Sequence, residues 1–347
     1  MALSYEPDPS LWDEYVGAHP HGHHEQTSRF AEMRSRSGFR CLRVAVLAPG
    51  GHIVGGAQVL LRSVPVAGTL ACVTQGPLVS AGMGDAAIEL LHGLDVLARN
   101  HGITRMRLIN YFGDSFWQPL LEQAGYHRSG YQWAERDTQL LRCDRTDDQL
   151  ISGMHDTCRR NLRSARNKGV SVRVAGEEDI STVHQLLQET AQRRGFPIFP
   201  LEYFQRTWRL FAPRGKLRAF LAYSDDVPLA GVITTVIGDR ACDGWAGMSM
   251  LKSNTNANYA AHWAAIRWAR GVGCGYYDFS GGTGDDGLSV FKQRWGSEAV
   301  PYPDPFDKFY GLASGLRRSA TGLVWRSRHL RRIVNRIGNR LHARMPY

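Results

Sequence analysis

The chain has 347 residues, of which 43% are hydrophobic and 21% charged, a composition typical of a globular protein with about two domains. Its formal net charge of +10 favours a polyanionic partner, such as nucleic acid, an anionic membrane surface or a phosphate-bearing substrate. No apolar run suits a membrane span, the start lacks a secretion signal and the cysteines lack zinc or redox spacing, so we expect a cytoplasmic protein.

The first half of the chain predicts helices, a hairpin, a strand, a helix and a strand. Two β-branched runs flank Pro49-Gly50-Gly51, a pattern typical of a hairpin. In the later helix, apolar residues recur at helical spacing from Ile88 to Leu97, and Asp85 stands at the helix start. The predicted elements are helices 8–20 and 26–36, strands 41–47, 52–61 and 69–73, helix 85–100 and strand 106–109.

The second half predicts the same order of elements. A polar segment, residues 147–168, is predicted as one helix that bridges the two halves, with Gly169 after its end. The later elements are helices 180–193 and 201–211, strands 217–223, 227–236 and 240–246, helix 259–270 and strand 276–279. This order, found twice, is that of the N-acetyltransferase (GNAT) fold.

We therefore predict an α/β protein of two tandem GNAT-like domains. Residues 1–146 form the first domain, joined by the C-terminal segment 302–347, and residues 147–301 form the second. The GNAT fold suggests a coenzyme A enzyme, but the second half lacks the Gly-rich turn that holds the pyrophosphate and the first half has only a weak match at Gly82-Met83-Gly84, so we expect no such cofactor. The histidines of residues 19–24 lack helical ligand spacing, and we expect no metal there.

The last predicted strand leads through a Gly-rich hinge into a short helix that carries Phe291 and Lys292. A lysine among aromatic side chains can place positive charge where a reaction develops negative charge. The alternative is a surface lysine whose stem lies along the aromatics while its charge stays in water. Asp278, Asp285 and Asp286 are candidate proton acceptors near this helix, although acidic residues in loops are usually only solvated.

Several short motifs, in this order and spacing, resemble the Fem family of aminoacyl-tRNA-dependent aminoacyltransferases, which build peptidoglycan bridges. The resemblance covers roughly residues 1–310, without the coiled-coil arm of some members. It implies twin GNAT-like domains and transfer of an amino acid from aminoacyl-tRNA to an amine. The motifs are Gln26 with Phe30, Val54 to Gln58, Gln75-Gly76-Pro77, Arg159 to Arg166 with Gly169, Arg193 to Gly195, Tyr203-Phe204, Trp245 to Gly247 and Gly287 to Lys292.

The resemblance also implies roles for individual residues. Lys292 is expected to stabilise the oxyanion of the tRNA-linked ester, and Phe291 to orient the attacking amine through its carbonyl group. Family members hold a muropeptide through a lysine after the early glutamine, where this chain has Glu32, and through an arginine matched by Arg193. The residues that we expect to bind the acceptor are Arg193, Arg34, Tyr259 and Asp278.

Two basic blocks invite a nucleic acid or membrane interpretation. Arg159, Arg163 and Arg166 fall on one helical face, with Arg160 and Lys168 beside them, and could follow the phosphates of tRNA. Residues 312–344 predict a basic amphipathic helix that binds an anionic membrane, RNA or the first domain. The alternative for the first block is a solvated bridging helix.

The sequence thus predicts a monomeric aminoacyltransferase that uses aminoacyl-tRNA as co-substrate. Its expected acceptor is a lipid-linked or nucleotide-linked muropeptide at the inner face of the plasma membrane. Because Glu32 cannot hold a phosphate, a small natural-product amine is the first alternative acceptor. A coenzyme-A-dependent acetyltransferase and a non-catalytic RNA-binding or membrane-binding protein remain less favoured alternatives.

Overall fold

The computed structural model describes residues 1–64, 67–109, 111–129, 137–281, 287–311 and 315. These residues form two compact units, one from 1–129 with 302–315 and one from 137–301. The predicted boundary at residue 146 is therefore about ten residues too late, since residues 137–142 form a strand inside the second sheet. The predicted amphipathic helix 312–344 and the candidate acids Asp285 and Asp286 lie outside the described residues, apart from Gly315.

The strands within the described residues belong to two mixed sheets, one in each unit. They are β1 (Ala2–Ser4), β2 (Arg40–Leu47), β3 (Ile53–Val64), β4 (Gly68–Thr74), β5 (Leu78–Val79), β6 (Ile103–Ile109), β7 (His127–Arg128), β8 (Asp137–Arg142), β9 (Ser171–Val174), β10 (Leu217–Ser224), β11 (Val227–Ile237), β12 (Arg240–Met248), β13 (Tyr276–Asp278), β14 (Glu298–Pro301) and β15 (Phe306–Phe309). The first sheet has the order β1-β2-β3-β4-β6-β15-β7 with β5 on β3, and the second has the order β14-β8-β13-β12-β11-β10-β9.

The helices follow the predicted segments closely, with one addition and one division. They are α1 (Pro9–Ala18), α2 (Ser28–Ser35), α3 (Gly84–Asn100), α4 (Asp114–Gln123), α5 (Asp147–Gly153), α6 (Asp156–Asn167), α7 (Ile180–Arg194), α8 (Leu201–Phe211), α9 (Ala257–Gly271) and α10 (Gly287–Gln293). The bridging segment predicted as one helix is two helices, because His155 adopts an extended backbone and its ring accepts a hydrogen bond from the Thr157 amide. No helix in the described part of the chain has both the length and the apolar character needed to cross a bilayer.

Helix α3 buries one face against the first sheet, and this face includes most of the apolar residues that recur from Ile88 to Leu97. Leu91, Leu94 and Leu97 are buried, whereas Ile88 is 56% exposed. The buried face runs through Ala87 and Leu94, and a residue one position after Ala87 is turned about 100° away from it. Ile88 therefore shares the helical spacing of the apolar row but is exposed to solvent.

One of the glycines in the motifs of the first unit has a packing role and not a catalytic one. Gly56 lies on β3, and a Cβ atom there would sit 2.4 Å from the Trp12 ring and 2.8 Å from the Val44 carbonyl oxygen. The Trp12 indole nitrogen donates to the Gln26 carbonyl oxygen at 2.5 Å, so the ring has little room to move. The packing of α1 on the sheet thus requires a residue without a Cβ atom at position 56.

We expect the Gly56→Ala variant to lose about 1–3 kcal/mol of unfolding free energy, because the added methyl group overpacks the Trp12 contact. Urea unfolding followed by circular dichroism measures this. The matched control is Gly17→Ala in α1, where a Cβ would have nothing within 4 Å and alanine favours the helix. A Gly56→Ala protein as stable as the wild type would contradict the packing argument.

The buried glutamines of the first unit also hold its early loop. The Gln26 side chain donates to the Thr74 carbonyl oxygen at 2.6 Å and accepts from the Gln58 amide at 2.8 Å. The Gln58 side chain in turn donates to the carbonyl oxygens of Glu25 and Thr27, both at 2.9 Å. These residues, part of the motif set that carried the family resemblance, therefore bind the loop before α2 to the sheet.

Candidate functional site

The second sheet ends beside the short helix α10, and Lys292 points from this helix towards the end of β13. The side chain is only 6% exposed. Its Nζ donates to the Ser280 carbonyl oxygen at 3.0 Å and to the Gly281 carbonyl oxygen at 2.5 Å. The alternative of a surface lysine with its charge in water is therefore wrong. A buried ammonium here carries positive charge into a site of low dielectric constant.

Aromatic rings surround the backbone that carries Lys292. Phe291 contacts the Tyr259 ring edge to face at a centroid distance of 5.1 Å, and Tyr259 stacks on Trp295 at 5.7 Å. Trp295 and Tyr259 are buried, and Phe291 is partly exposed. Tyr259, predicted to bind the acceptor, thus packs in the wall behind Phe291, where it can position the backbone of α10.

Asp278 is held by its own protein neighbours. The carboxylate is 2% exposed, with Oδ1 accepting from the Thr138 hydroxyl and from the Ser280 amide at 2.8 Å. Oδ2 lies 3.4 Å from the Arg240 guanidinium. Burial raises the pKa of Asp278 above its ordinary value, while Arg240 and then the Thr138 hydrogen bond act in the opposite direction. This environment suits a residue that positions Ser280 and does not suit the predicted contact with an acceptor.

A second buried acid lies behind the same loop, and sequence reasoning missed it. Asp243 on β12 contacts His262 on α9, with 3.1 Å between Oδ2 and Nε2. The His262 ring packs edge to face on Phe291 at 5.1 Å. The Ser280 hydroxyl donates to the Asp243 carbonyl oxygen at 3.0 Å. No sequence signal joins residues 19 positions apart, because their contact depends on how α9 packs against the sheet.

The two arginines predicted to bind the acceptor differ in accessibility. Arg193, near the end of α7, is exposed, and its Nη1 donates to the Met248 carbonyl oxygen at 3.4 Å. Arg34 on α2 is 2% exposed, with its guanidinium 4.2 Å from the centre of the Phe39 ring. A side chain buried in this way packs the first unit, so the expectation that Arg34 binds the acceptor is wrong for this structure.

The basic surface of α6 brings three of the five residues predicted to bind tRNA into one depression, without Arg159 and Arg166. Arg159 donates to the Ser152 carbonyl oxygen at 3.1 Å and to the Met154 carbonyl oxygen at 2.5 Å, and it pairs with Asp156. It therefore caps the end of α5, and we correct its predicted role as a tRNA ligand. A shallow depression of about 340 Å³ lies on the next face of the helix. It is lined by Arg160, Arg163, Ser164, Asn167 and Lys168.

The remaining basic residues of this helix are exposed. Arg160, Arg163, Arg166 and Lys168 all have exposed side chains. Lys168 Nζ also donates to the Asn254 carbonyl oxygen at 2.6 Å, which links the end of α6 to the loop before α9. Arg160, Arg163 and Lys168, which line the depression, thus form a charged strip that suits a row of phosphates and does not suit an apolar ligand.

Comparison with known proteins places these features in context. The family model described as an acetyltransferase (GNAT) domain matches residues 152–293. Lipid II:glycine glycyltransferase of Staphylococcus aureus is 24% identical over 226 residues, which cover 61% of this chain and 53% of that protein. The chain therefore spans about half the length of the curated relatives it matches.

Solved structures support the predicted fold. The crystal structure of FemX matches with a TM-score of 0.83 at 19% identity, covering 89% of this chain and 98% of that chain. A tandem GNAT protein from the clavulanic acid biosynthesis pathway matches with a TM-score of 0.54 at 15% identity, covering 89% and 99%. The prediction of two GNAT-like domains in an α/β fold is thereby confirmed.

Proposed function

We propose that this chain, a relative of the Fem family in both sequence and fold, is an aminoacyltransferase that moves an amino acid from aminoacyl-tRNA to an amine of a peptidoglycan precursor. The observation that carries the proposal is the buried ammonium of Lys292 beside Phe291, at the end of a GNAT-like sheet. The name of the Staphylococcus aureus relative, lipid II:glycine glycyltransferase, supports the same reaction class.

The reaction needs alignment and charge stabilisation, because aminoacyl-tRNA is already an activated ester. The uncharged amine of the acceptor attacks the ester carbonyl carbon, and negative charge develops on the carbonyl oxygen as the carbon–nitrogen bond forms. The carbon–oxygen bond to the terminal ribose then breaks. The proton lost by the amine ends on the released ribose hydroxyl group. Because this balance closes without coenzyme A, aminoacyl-tRNA is the proposed co-substrate.

Lys292 and Phe291 have different proposed roles in this reaction. The positive charge of Lys292 stabilises the oxyanion, while its bonds to Ser280 and Gly281 hold the loop that ends β13. The main-chain carbonyl group of Phe291 orients the attacking amine. The Phe291 ring is held in place by contacts with the rings of Tyr259 and His262. Preorganised charge of this kind does not have to rearrange during the reaction.

The partners follow from the charged surfaces of the second unit. The α6 strip of Arg160, Arg163 and Lys168 is proposed to bind tRNA phosphates, and exposed Arg193 to bind an anionic group of the acceptor. A lipid-linked or nucleotide-linked muropeptide supplies both the amine and phosphate groups. We propose that the reaction takes place in the cytoplasm, at the inner face of the plasma membrane.

The test offers the purified protein labelled glycyl-tRNA and, separately, labelled acetyl-CoA, each with a muropeptide acceptor. We expect label to pass to the muropeptide from the charged tRNA and not from acetyl-CoA. Lys292→Met protein serves as the control for chemistry that does not depend on the site. Transfer from acetyl-CoA alone would overturn the proposal, and so would the absence of transfer from a full set of charged tRNAs.

Transfer to a small amine is the second candidate function, and one observation favours it. Glu32 lines a depression of about 460 Å³ in the first unit, together with Ser28, Ser35 and Arg40. The Glu32 carboxylate can pair with a protonated amine, although Arg40 and Arg43 add positive charge to the same lining. Competition between a nucleotide-linked muropeptide and small diamines in the same assay distinguishes the two acceptors.

A further inference from the structure

The pair of Asp243 and His262 lies behind the candidate site, and its hydrogen bonds require an additional proton. His262 Nδ1 is 2.7 Å from the Asn258 carbonyl oxygen, which can only accept, so Nδ1 carries hydrogen. Nε2 is 3.1 Å from Asp243 Oδ2. A neutral imidazole with hydrogen on Nδ1 would present a lone pair to a carboxylate. The geometry therefore calls for a proton between Nε2 and Oδ2.

The surroundings of Asp243 also favour this proton. Both side chains are buried, and Asp243 Oδ1 is a buried oxygen without a hydrogen bond partner among the described residues. A buried, ionised carboxylate with an unbonded oxygen destabilises the folded state unless a positive charge or a proton compensates for it. The strand bulges here, because Ile233 pairs with Trp245 and Thr234 pairs with Asp243. A bulge changes the direction of nearby side chains.

The pair contacts the site through the backbone and through a ring. Ser280 has a φ of 60°, in the left-handed region. Its hydroxyl group donates to the Asp243 carbonyl oxygen, and its own carbonyl oxygen accepts from Lys292 Nζ. The His262 ring packs on Phe291 at 5.1 Å and stacks on Phe279 at 6.2 Å. A shift of the His262 ring would therefore displace the Phe291 ring, and a shift of the Asp243 main chain would displace the loop that Lys292 holds.

We propose that Asp243 and His262 share one proton and act as positioning residues for Phe291 and Ser280. The proton lies on Nε2, as an imidazolium beside a carboxylate, or on Oδ2, as a carboxylic acid beside an imidazole. When it leaves, the lone pair of Nε2 faces the carboxylate at hydrogen-bond distance and the contact becomes repulsive. Neither side chain touches the reacting atoms in this role.

Other titratable groups also face the pair. Tyr277 on β13 interacts with Asp243, and burial raises its pKa well above the ordinary value, so it stays neutral. Tyr259, on the same helix as His262, packs against Phe291 as His262 does. Lys292 on α10 carries the nearby positive charge at the loop. The experiment therefore has to observe the shared proton itself, not only the pH dependence of a rate.

The first measurement is the protonation of the pair in the intact wild-type protein, by nitrogen and carboxyl-carbon NMR with selective labels. We expect either two ring N–H groups on His262 or a protonated Asp243 carboxyl group. In Asp243→Asn the ring should carry hydrogen on Nδ1 alone, because the asparagine amide can donate to Nε2. A wild-type ring with one N–H group beside an ionised carboxylate would overturn the shared proton, whether or not the protein proves to be an aminoacyltransferase.

The second measurement concerns positioning, and it rests on the proposed function. We expect Asp243→Ala to lower kcat by about 10- to 100-fold with little change in KM for aminoacyl-tRNA. Asp243→Asn, which restores a hydrogen bond, should recover part of the lost kcat. The matched control is His184→Ala, which removes another buried histidine of this unit, bonded at 2.9 Å to the Phe199 carbonyl oxygen. Unchanged kcat in Asp243→Ala, or an equal loss in His184→Ala, would overturn the positioning role.

Discussion

Replacing Lys292 by methionine is expected to lower kcat for aminoacyl transfer by about 100- to 1,000-fold, because the site loses its buried positive charge. Methionine keeps the approximate length and apolar stem of lysine, so the packing against the aromatic wall should survive. The KM for aminoacyl-tRNA should change little, since the proposed tRNA contacts lie on α6. Steady-state kinetics with varied charged tRNA measures both quantities.

The same substitution should also destabilise the second unit. Lys292 donates to two main-chain carbonyl oxygens, and hydrogen bonds to charged groups contribute about 1.5–3 kcal/mol each. The rate must therefore be expressed per folded molecule, with folding measured by circular dichroism. Loss of folding alone would give fewer active molecules without changing the kcat of those that remain.

A matched lysine separates charge at the site from structural support. Lys308 of the first unit donates to the Asp95 carboxylate and to the Ala124 carbonyl oxygen, both at 2.5 Å. Lys308→Met should destabilise its unit while leaving the rate per folded molecule close to that of the wild type. A Lys292→Met protein with a normal rate per folded molecule would refute the proposed role of the ammonium group.

Removing Arg160, Arg163 and Lys168 together is expected to weaken tRNA binding and to make it less sensitive to salt. Each lost phosphate contact should reduce the slope of log affinity against log salt by about one, so the triple alanine variant should lose about two to three. The kcat at saturating aminoacyl-tRNA should remain near the wild-type value. Filter binding over a range of salt concentrations measures the slope.

The control for this surface is a neighbouring arginine on the same helix. Arg159 is bonded to the carbonyl oxygens of Ser152 and Met154 and paired with Asp156. We expect Arg159→Ala to lower thermal stability and to leave the salt slope of tRNA binding unchanged. If Arg159→Ala lowers the slope while the triple variant does not, the assignment of the tRNA face is wrong.

Much of the architecture could be predicted from the sequence, because helix and strand periods encode which face of an element is buried. The order of elements in each half identified the GNAT fold. Short apolar runs with β-branched residues predicted where the strands lie. One error lies in the polar segment between the two halves, which the sequence analysis predicts as one helix and the structure shows as two. Gly153 ends α5, and Met154 and His155 then adopt an extended backbone, so the glycine in this polar segment marked a break that the prediction of one helix did not use.

The candidate site was only partly predictable. Lys292 could be chosen from its local sequence, since the flanking Phe291 and Trp295 indicated a lysine held among aromatics. Whether the charge was buried or exposed could not be decided, because that depends on the distance between α10 and the end of β13. The same limit applies to Arg34. The sequence analysis predicts that it binds the acceptor, whereas in the structure it lies buried against Phe39.

The sequence by itself determined the two repeated units, the position of the Phe291–Lys292 segment and the basic character of α6. Only the tertiary structure decided which arginines of α6 reach solvent and that Asp243 meets His262. Local patterns report the burial of a helix or strand face, whereas these contacts join β12 to α9 and α6 to α5. The first contact depends on a bulge and on helix packing that involve residues distant in the chain, and the second depends on the break between two helices that the sequence predicts as one.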